Sequence, residues 1–92
     1  MIVRIFSEDQ YRVPEDALTR MNELDNECVA AVEAGDEPRF RAAYDQLLAL
    51  VRDEGEALAD DALTGSDLML PPADISMDEA RQEFTGDGLI PD

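Results

Sequence analysis

The architecture of this 92-residue chain depends mainly on residues 14–55, which read PEDALTRMNELDNECVAAVEAG followed by DEPRFRAAYDQLLALVRDEG. Pro14 suits the opening turn of a helix, where its missing N–H leaves no hydrogen bond unmade, and Gly35 is typical of the position just after a helix ends. Between them, apolar side chains recur every three or four residues, which is the spacing of one helix face. The residues of this face are Leu18, Met21, Leu24, Cys28 and Val32.

A second helix is predicted between Asp36 and Gly55. Asp36 is a favourable N-cap residue, and we expect Gly55 to close this helix as the previous glycine closes the first. We also expect Arg41 and Asp45 to form an i,i+4 pair on the solvent-facing side. Because the link between the two helices is short, they should fold back as an antiparallel pair. The apolar face of the second helix comprises Phe40, Tyr44, Leu47 and Val51.

Short β-strands are predicted on both sides of this helical pair. Residues 2–6 and 10–13 are rich in branched and aromatic side chains, and the polar Ser7-Glu8-Asp9 between them is typical of a turn. This pattern predicts a β-hairpin. Two strands alone are marginally stable, so they must lie on the helices or recruit a third strand. Residues 66–70 run into Pro71-Pro72, which no helix could contain, and we predict an extended segment there as the candidate third strand.

The last predicted element is a short helix. Ser76-Met77-Asp78-Glu79 is a capping-box pattern, whereas residues 56–65 show no clear period. The apolar stripe of this helix comprises Met77, Ala80 and Phe84. The predicted fold class is therefore α+β, with an N-terminal β-hairpin, an antiparallel helical hairpin, an extended segment and a short C-terminal helix. We expect residues 1–92 to form a single small acidic domain.

The charge composition is extreme. Lysine is absent, and 23 Asp and Glu residues face seven arginines, so the formal net charge is −16. Such a charge would expand an ordinary domain through self-repulsion, whereas at 1 M salt the screening length falls to roughly 3 Å and neighbouring carboxylates scarcely repel. We therefore expect a halophilic protein from a cell with a salty interior. An acidic disordered tail is the alternative, but a 45% hydrophobic content at helical spacing favours a folded domain.

The sequence lacks the side chains that most catalytic and metal sites need. Histidine is absent, which excludes Ser-His and Cys-His nucleophile pairs and the usual imidazole ligands of zinc and iron. The single cysteine, Cys28, excludes an internal disulfide and fits a buried hydrophobic role. No phosphate-binding loop occurs, and the scattered arginines form no basic stripe for nucleic acid. We expect a non-enzymatic protein without cofactor, bound metal or nucleic acid.

Two alternative functions would use the carboxylates. A metal-dependent domain could use acidic pairs such as Asp53-Glu54 or Asp60-Asp61, and an acidic mimic of nucleic acid could occupy a nucleic-acid-binding protein. Because a quarter of all positions are acidic, such pairs are expected by chance. No apolar run reaches the roughly 20 residues of a membrane span, and the first six residues are too short for a secretory signal. We therefore expect a cytoplasmic protein without direct membrane insertion.

Five short segments occur in order along the chain: Met1-Ile2-Val3-Arg4-Ile5, Gln10-Tyr11-x-Val13, Ala34-Gly35-Asp36-Glu37, Ser66-Asp67-Leu68-x-Leu70-Pro71-Pro72-Ala73-Asp74 and Gly88-Leu89-Ile90-Pro91. In this order and spacing they resemble the PspA-associated protein family, PspAA, over the whole chain. Its members are small domains encoded beside PspA, a coiled-coil protein of the membrane-stress (phage shock) response related to Vipp1 and the ESCRT-type membrane-remodelling proteins. The resemblance implies an accessory or regulatory partner of a PspA-like coiled-coil protein, and it supplies no functional residues.

Two apolar segments are the candidate partner-binding sites. In strong salt a contact must depend on apolar packing more than on charge, and an acidic domain would reach the inner face of the membrane only through a partner. The alternative is that these side chains complete the domain's own core or extend the hairpin into a three-stranded sheet. Self-association is left open. The predicted partner-binding residues are Ser66, Asp67, Leu68, Met69, Leu70, Pro71 and Pro72 in the first segment, and Leu89, Ile90 and Pro91 in the second.

Overall fold

The structure is a computed structural model that describes residues 2–5, 10–58 and 68–84. It has the predicted α+β composition of an N-terminal hairpin, a helical hairpin, later strands and a short C-terminal helix. The predicted turn at residues 7–9 lies outside the described residues. In chain order the elements are β1 (Ile2–Ile5), β2 (Gln10–Arg12), α1 (Glu15–Ala34), α2 (Glu37–Glu54), β3 (Glu56–Ala57), β4 (Leu68–Leu70) and α3 (Met77–Glu83).

The strands form one four-stranded sheet in the order β3-β2-β1-β4. β1 and β2 pair antiparallel, as the hairpin prediction requires, with Val3 opposite Tyr11. The predicted extended segment is strand β4, which pairs parallel to β1 and places Leu68 level with Val3. Parallel pairing needs a long crossover, and the helical hairpin provides it. Strand β3 was not predicted, because it has two residues and is defined by the pairing of Ala57 with Tyr11 rather than by a pattern of its own.

Two residues connect the long helices. Gly35 has the left-handed φ of 69°, and its N–H donates to the Val32 carbonyl at 3.0 Å, while the Asp36 N–H donates to the Ala31 carbonyl at 2.9 Å. This pair of bonds is the Schellman arrangement that satisfies the last carbonyls of a helix. The Asp36 carboxylate then accepts the Arg39 N–H at 3.2 Å and caps α2. One dipeptide therefore ends the first helix and starts the second, as predicted.

Gly55 has a different role from the one predicted. α2 does end at Glu54, but Gly55 is extended, with φ −82° and ψ 152°, and is not left-handed. A Cβ at this position would lie 2.3 Å from the Val51 carbonyl oxygen and 2.9 Å from Cβ of Tyr11. Glycine is needed here because a side chain would clash with the last turn of α2 and with β2, not because the backbone needs a positive φ.

The core lies between the two long helices and one face of the sheet. Val3 and Ile5 of β1 and Leu68 and Leu70 of β4 point into it, because alternate residues of a strand face the same side. On α1 the buried face is rotated slightly from the predicted stripe, so that Leu18 and Leu24 are only partly buried. The other buried residues of α1 are Ala17, Met21, Asp25, Cys28, Val29, Ala31 and Val32.

Three aromatic rings join α2 to the end of α3. The Phe40 and Tyr44 rings stack with their centroids 5.5 Å apart, and the Phe84 ring meets both edge-on at 5.3 and 5.5 Å. All three side chains are fully buried. Buried aromatic side chains remove a large apolar area from water, and contacts between the rings stabilise the fold further. This aromatic cluster holds α3 against the helical hairpin.

Candidate partner-binding surface

The side chains of β4 divide between the core and the surface. Leu68 and Leu70 are 9% and 0% exposed, whereas Met69 between them is 56% exposed. The two leucines thus complete the domain's own core, which was the alternative interpretation of this segment. Met69 is the one large apolar side chain that the described part of the chain leaves exposed. The other predicted contact residues Ser66, Asp67, Leu89, Ile90 and Pro91 lie outside the described residues.

Met69 opens into a groove between β4 and α3 with a volume of about 450 Å³. Its apolar side is formed by Met69, Pro71, Pro72 and Ile75, and we call these four residues and the space above them the Met69 groove. The opposite side is polar and belongs to α3, with Glu79, Gln82 and Glu83. Three of the predicted contact residues, Met69, Pro71 and Pro72, are therefore brought together here, while Ile75 and the α3 residues were not predicted.

Two side chains of α2 hold the floor of this groove in place. The Arg41 guanidinium donates to the carbonyl of Ala73 at 3.1 Å and also to that of Ile75. The Tyr44 hydroxyl donates to the carbonyl of Pro71. The predicted solvent-facing pair of Arg41 with Asp45 is therefore wrong, because the guanidinium reaches two backbone carbonyls that the loop brings within its range. A charged donor shared by two carbonyls is a strong contact, so the groove is pre-formed.

The α3 side of the groove is fixed by the predicted capping box. The Glu79 N–H donates to Oγ of Ser76 at 3.2 Å, and the Ser76 N–H donates to a carboxylate oxygen of Glu79 at 3.4 Å. Ala80 and Phe84 are buried at the other side of the helix. The short helix is thereby held at its start by hydrogen bonds and at its end by packing, and Gln82 and Glu83 are left exposed.

Replacing Arg41 with methionine should lower the free energy of unfolding by about 1.5–3 kcal/mol, the usual contribution of hydrogen bonds to a charged group. The Ala73 and Ile75 carbonyls would lose their donor, and the loop should move. Chemical denaturation measures the loss, and faster amide exchange in residues 71–75 locates it. The matched control is Arg39→Met two residues away, because Arg39 makes an exposed ion pair with Glu27 that holds the pKa of that carboxyl below its usual range. Equal losses in both variants would contradict this role of Arg41.

Cys28 has the environment of a buried, unreactive thiol. Burial raises its pKa from 9.0 to about 12, and the nearby carboxylates of Asp25 and Glu27 add to the rise by repelling a thiolate. Asp25 is itself fully buried, a feature that the apolar periodicity of α1 did not reveal. A neutral thiol without solvent access is a poor nucleophile, so this position offers no redox or covalent chemistry.

We predict that the disulfide reagent dithiobis(nitrobenzoate) does not label Cys28 of the native protein at pH 8 and labels it fully in denaturant. A raised pKa in the folded state also means that the unfolded chain loses this proton first as the pH rises. The stability associated with the protonated thiol is therefore complete below about pH 9 and is lost progressively toward pH 12. Native labelling at the rate of a free cysteine would contradict the buried position.

The described residues contain no group of three or more acidic or cysteine side chains placed to hold a metal ion. Asp53 and Glu54 are exposed at the end of α2, and the Asp60-Asp61 pair lies outside the described ranges. Neither long helix in residues 2–5, 10–58 and 68–84 is apolar over enough of its length to cross a bilayer.

Comparison with known proteins identifies the family. The family model PspAA, described as PspA-Associated protein, matches residues 1–92 and so covers the entire chain. The curated proteins and the solved structures contain no match to this sequence. The matched residues include the hairpin, the helical pair and the loop that forms the Met69 groove. The chain therefore belongs to the PspA-associated protein family.

Proposed function

We propose that this chain is a non-enzymatic accessory partner of a PspA-like coiled-coil protein and acts by direct protein–protein contact. The observation that supports this most is the family match over residues 1–92. The composition agrees with the proposal, since a chain without histidine and lysine lacks the commonest general base and the commonest amine nucleophile.

The Met69 groove is the surface that we assign to this contact. An exposed methionine is adaptable and is used often at surfaces that bind helices, because its thioether chain can fill irregular gaps. The two prolines restrict the loop, and Arg41 and Tyr44 anchor it, so little conformational entropy is lost when a partner binds. In this account the chain reaches the membrane-stress machinery through its partner and stays off the lipid surface, because a net charge of −16 is repelled by anionic lipid.

A pull-down from native extract at molar salt, followed by mass spectrometry, tests this function. Wild-type bait should capture a PspA-like protein. Met69→Asp should capture much less, because a carboxylate on the groove cannot be desolvated without cost. Ala49→Asp is the matched control, since Ala49 is exposed on α2 and the charge change is the same. Wild-type bait that enriches no PspA-like protein would refute the proposed function.

A further inference from the structure

The face of the sheet turned away from the core carries a distinctive set of residues. Because alternate strand residues face opposite sides, the burial of Val3 and Leu68 leaves their neighbours on the other face. Strand pairing places Arg4 beside both Gln10 and Met69, and Arg12 beside Ile2. The same register places Glu56 beside Arg12. We call this set the outer sheet face: Ile2, Arg4, Gln10, Arg12, Glu56 and Met69.

This face is locally positive on a strongly negative protein, with two arginines and one acid, Glu56, while Glu79 and Glu83 border Met69 on the α3 side. Arg4 and Arg12 are both exposed, and no ion pair involves either of them in the described part of the chain, although the sequence has more than three carboxylates for each arginine. Glu56 of β3 lies beside Arg12 in the register and is the one acidic residue among the strand residues that the structure describes. Elsewhere Arg81 pairs with Asp78 at 3.3 Å, whereas exposed Arg20 has no ion-pair partner among the described residues either. Arg4 and Arg12 differ from Arg20 because they lie together on one sheet face beside an exposed methionine.

Charge complementarity indicates what this face binds. Most of the chain carries carboxylates, whereas the outer sheet face presents two guanidinium groups beside an exposed apolar side chain, so a partner segment with carboxylates and an apolar residue is complementary to it. We infer that the outer sheet face binds an acidic amphipathic helix of the partner, with Arg4 and Arg12 on its carboxylates and Met69 against an apolar residue. This inference rests on the proposed function and names the chemistry of the surface that the partner presents.

The geometry of the two arginines suits a helix. Arg4 and Arg12 occupy diagonal positions on neighbouring antiparallel strands, where Cα atoms are roughly 7–8 Å apart. Carboxylates four residues apart on a helix are separated by a rise of about 6 Å. Each guanidinium can hold one carboxylate by two parallel hydrogen bonds. Such contacts, at about 2.7–2.9 Å, are no longer than the screening length in molar salt, so they persist where long-range attraction does not.

Titration of the full-length chain with the purified PspA-like protein at molar salt tests the inference. The double variant Arg4→Gln/Arg12→Gln should bind at least tenfold more weakly than wild type. The control Arg20→Gln/Arg81→Gln changes the net charge equally at exposed positions on α1 and α3 and should bind like wild type. Unchanged affinity of the first variant, or an equal loss in both, would overturn the inference while leaving the proposed function intact. No binding by wild type would overturn both.

The absence of lysine allows a second, independent measurement. Arg4→Lys introduces a single ε-amine into a chain that has none. A zero-length carbodiimide reagent should then join position 4 to a carboxylate of the partner, with the α-amino group blocked beforehand. Arg20→Lys, treated in the same way, should give no such product. Peptide mapping distinguishes a cross-link at the introduced lysine from those that the partner's own amines form with carboxylates of this chain. Cross-links at the introduced lysine in equal yield from both variants, or from the control alone, would contradict docking at the outer sheet face.

Discussion

Replacing Phe84 with alanine is expected to lower the free energy of unfolding by about 3–5 kcal/mol, the usual cost of removing a buried aromatic side chain. The Phe84 ring is 1% exposed and meets the rings of Phe40 and Tyr44 edge-on. Its removal leaves a cavity at the point where α3 is attached. For a domain of this size such a loss is a large part of the total stability. Equilibrium denaturation measures it directly.

The Phe84→Ala variant should also lose partner binding, because α3 forms one side of the Met69 groove. Phe84→Leu is the matched control, since it keeps most of the apolar volume and should cost much less. If α3 detaches before the rest unfolds, amide exchange in residues 77–84 will be faster than in α1 and α2. A Phe84→Ala protein as stable as wild type would contradict the attachment of α3 through the aromatic cluster.

Lowering the salt from molar to tens of millimolar should destabilise the fold strongly. Screening lengths grow from roughly 3 Å at 1 M to roughly 30 Å at 0.01 M, so the excess of 16 negative charges regains its mutual repulsion. If the loss reaches about 2 kcal/mol, the Tm of a domain of this size falls by about 8–16 °C. Thermal melts across a potassium chloride series at constant pH provide the measurement.

A charge-reduced variant separates this repulsion from other effects of salt. Glu33, Asp45 and Asp53 are exposed on the long helices, so their conversion to the corresponding amides removes charge without changing the core. The triple variant should have a weaker salt dependence than wild type. A Tm that stays constant or rises on dilution would contradict the electrostatic account, as would an unchanged salt slope in the variant.

The elements that could be predicted are those specified by neighbours in the chain. Gly35 and Asp36 carry the end of one helix and the start of the next, and the capping box at Ser76 acts over three residues. The alternation of buried and exposed side chains at Leu68, Met69 and Leu70 could also be anticipated once a strand was assigned, because it follows from strand geometry alone. Local chemistry of this kind is independent of the rest of the fold.

The features that could not be predicted depend on contacts distant in sequence. Arg41 was assigned to a neighbour four residues away, but its guanidinium binds carbonyls 32 and 34 residues further along. Gly55 does follow the end of α2, but a side chain there is excluded by the Val51 carbonyl oxygen and by Tyr11 of β2, and the second of these contacts is distant in sequence. The parallel pairing of β4 depends on the crossover through both helices, and this pairing places Arg4 beside Met69. The candidate site combines these contacts, so the sequence could indicate its apolar segment but not its shape.

The central claim is that this chain acts by binding a PspA-like protein through an apolar surface. Isothermal titration of the two purified proteins at molar salt tests it most directly, with Met69→Asp measured beside wild type. The account predicts a saturable complex for wild type and a large loss of affinity for the variant. A wild-type titration without saturable heat, supported by sedimentation profiles in which the two proteins migrate separately, would contradict it.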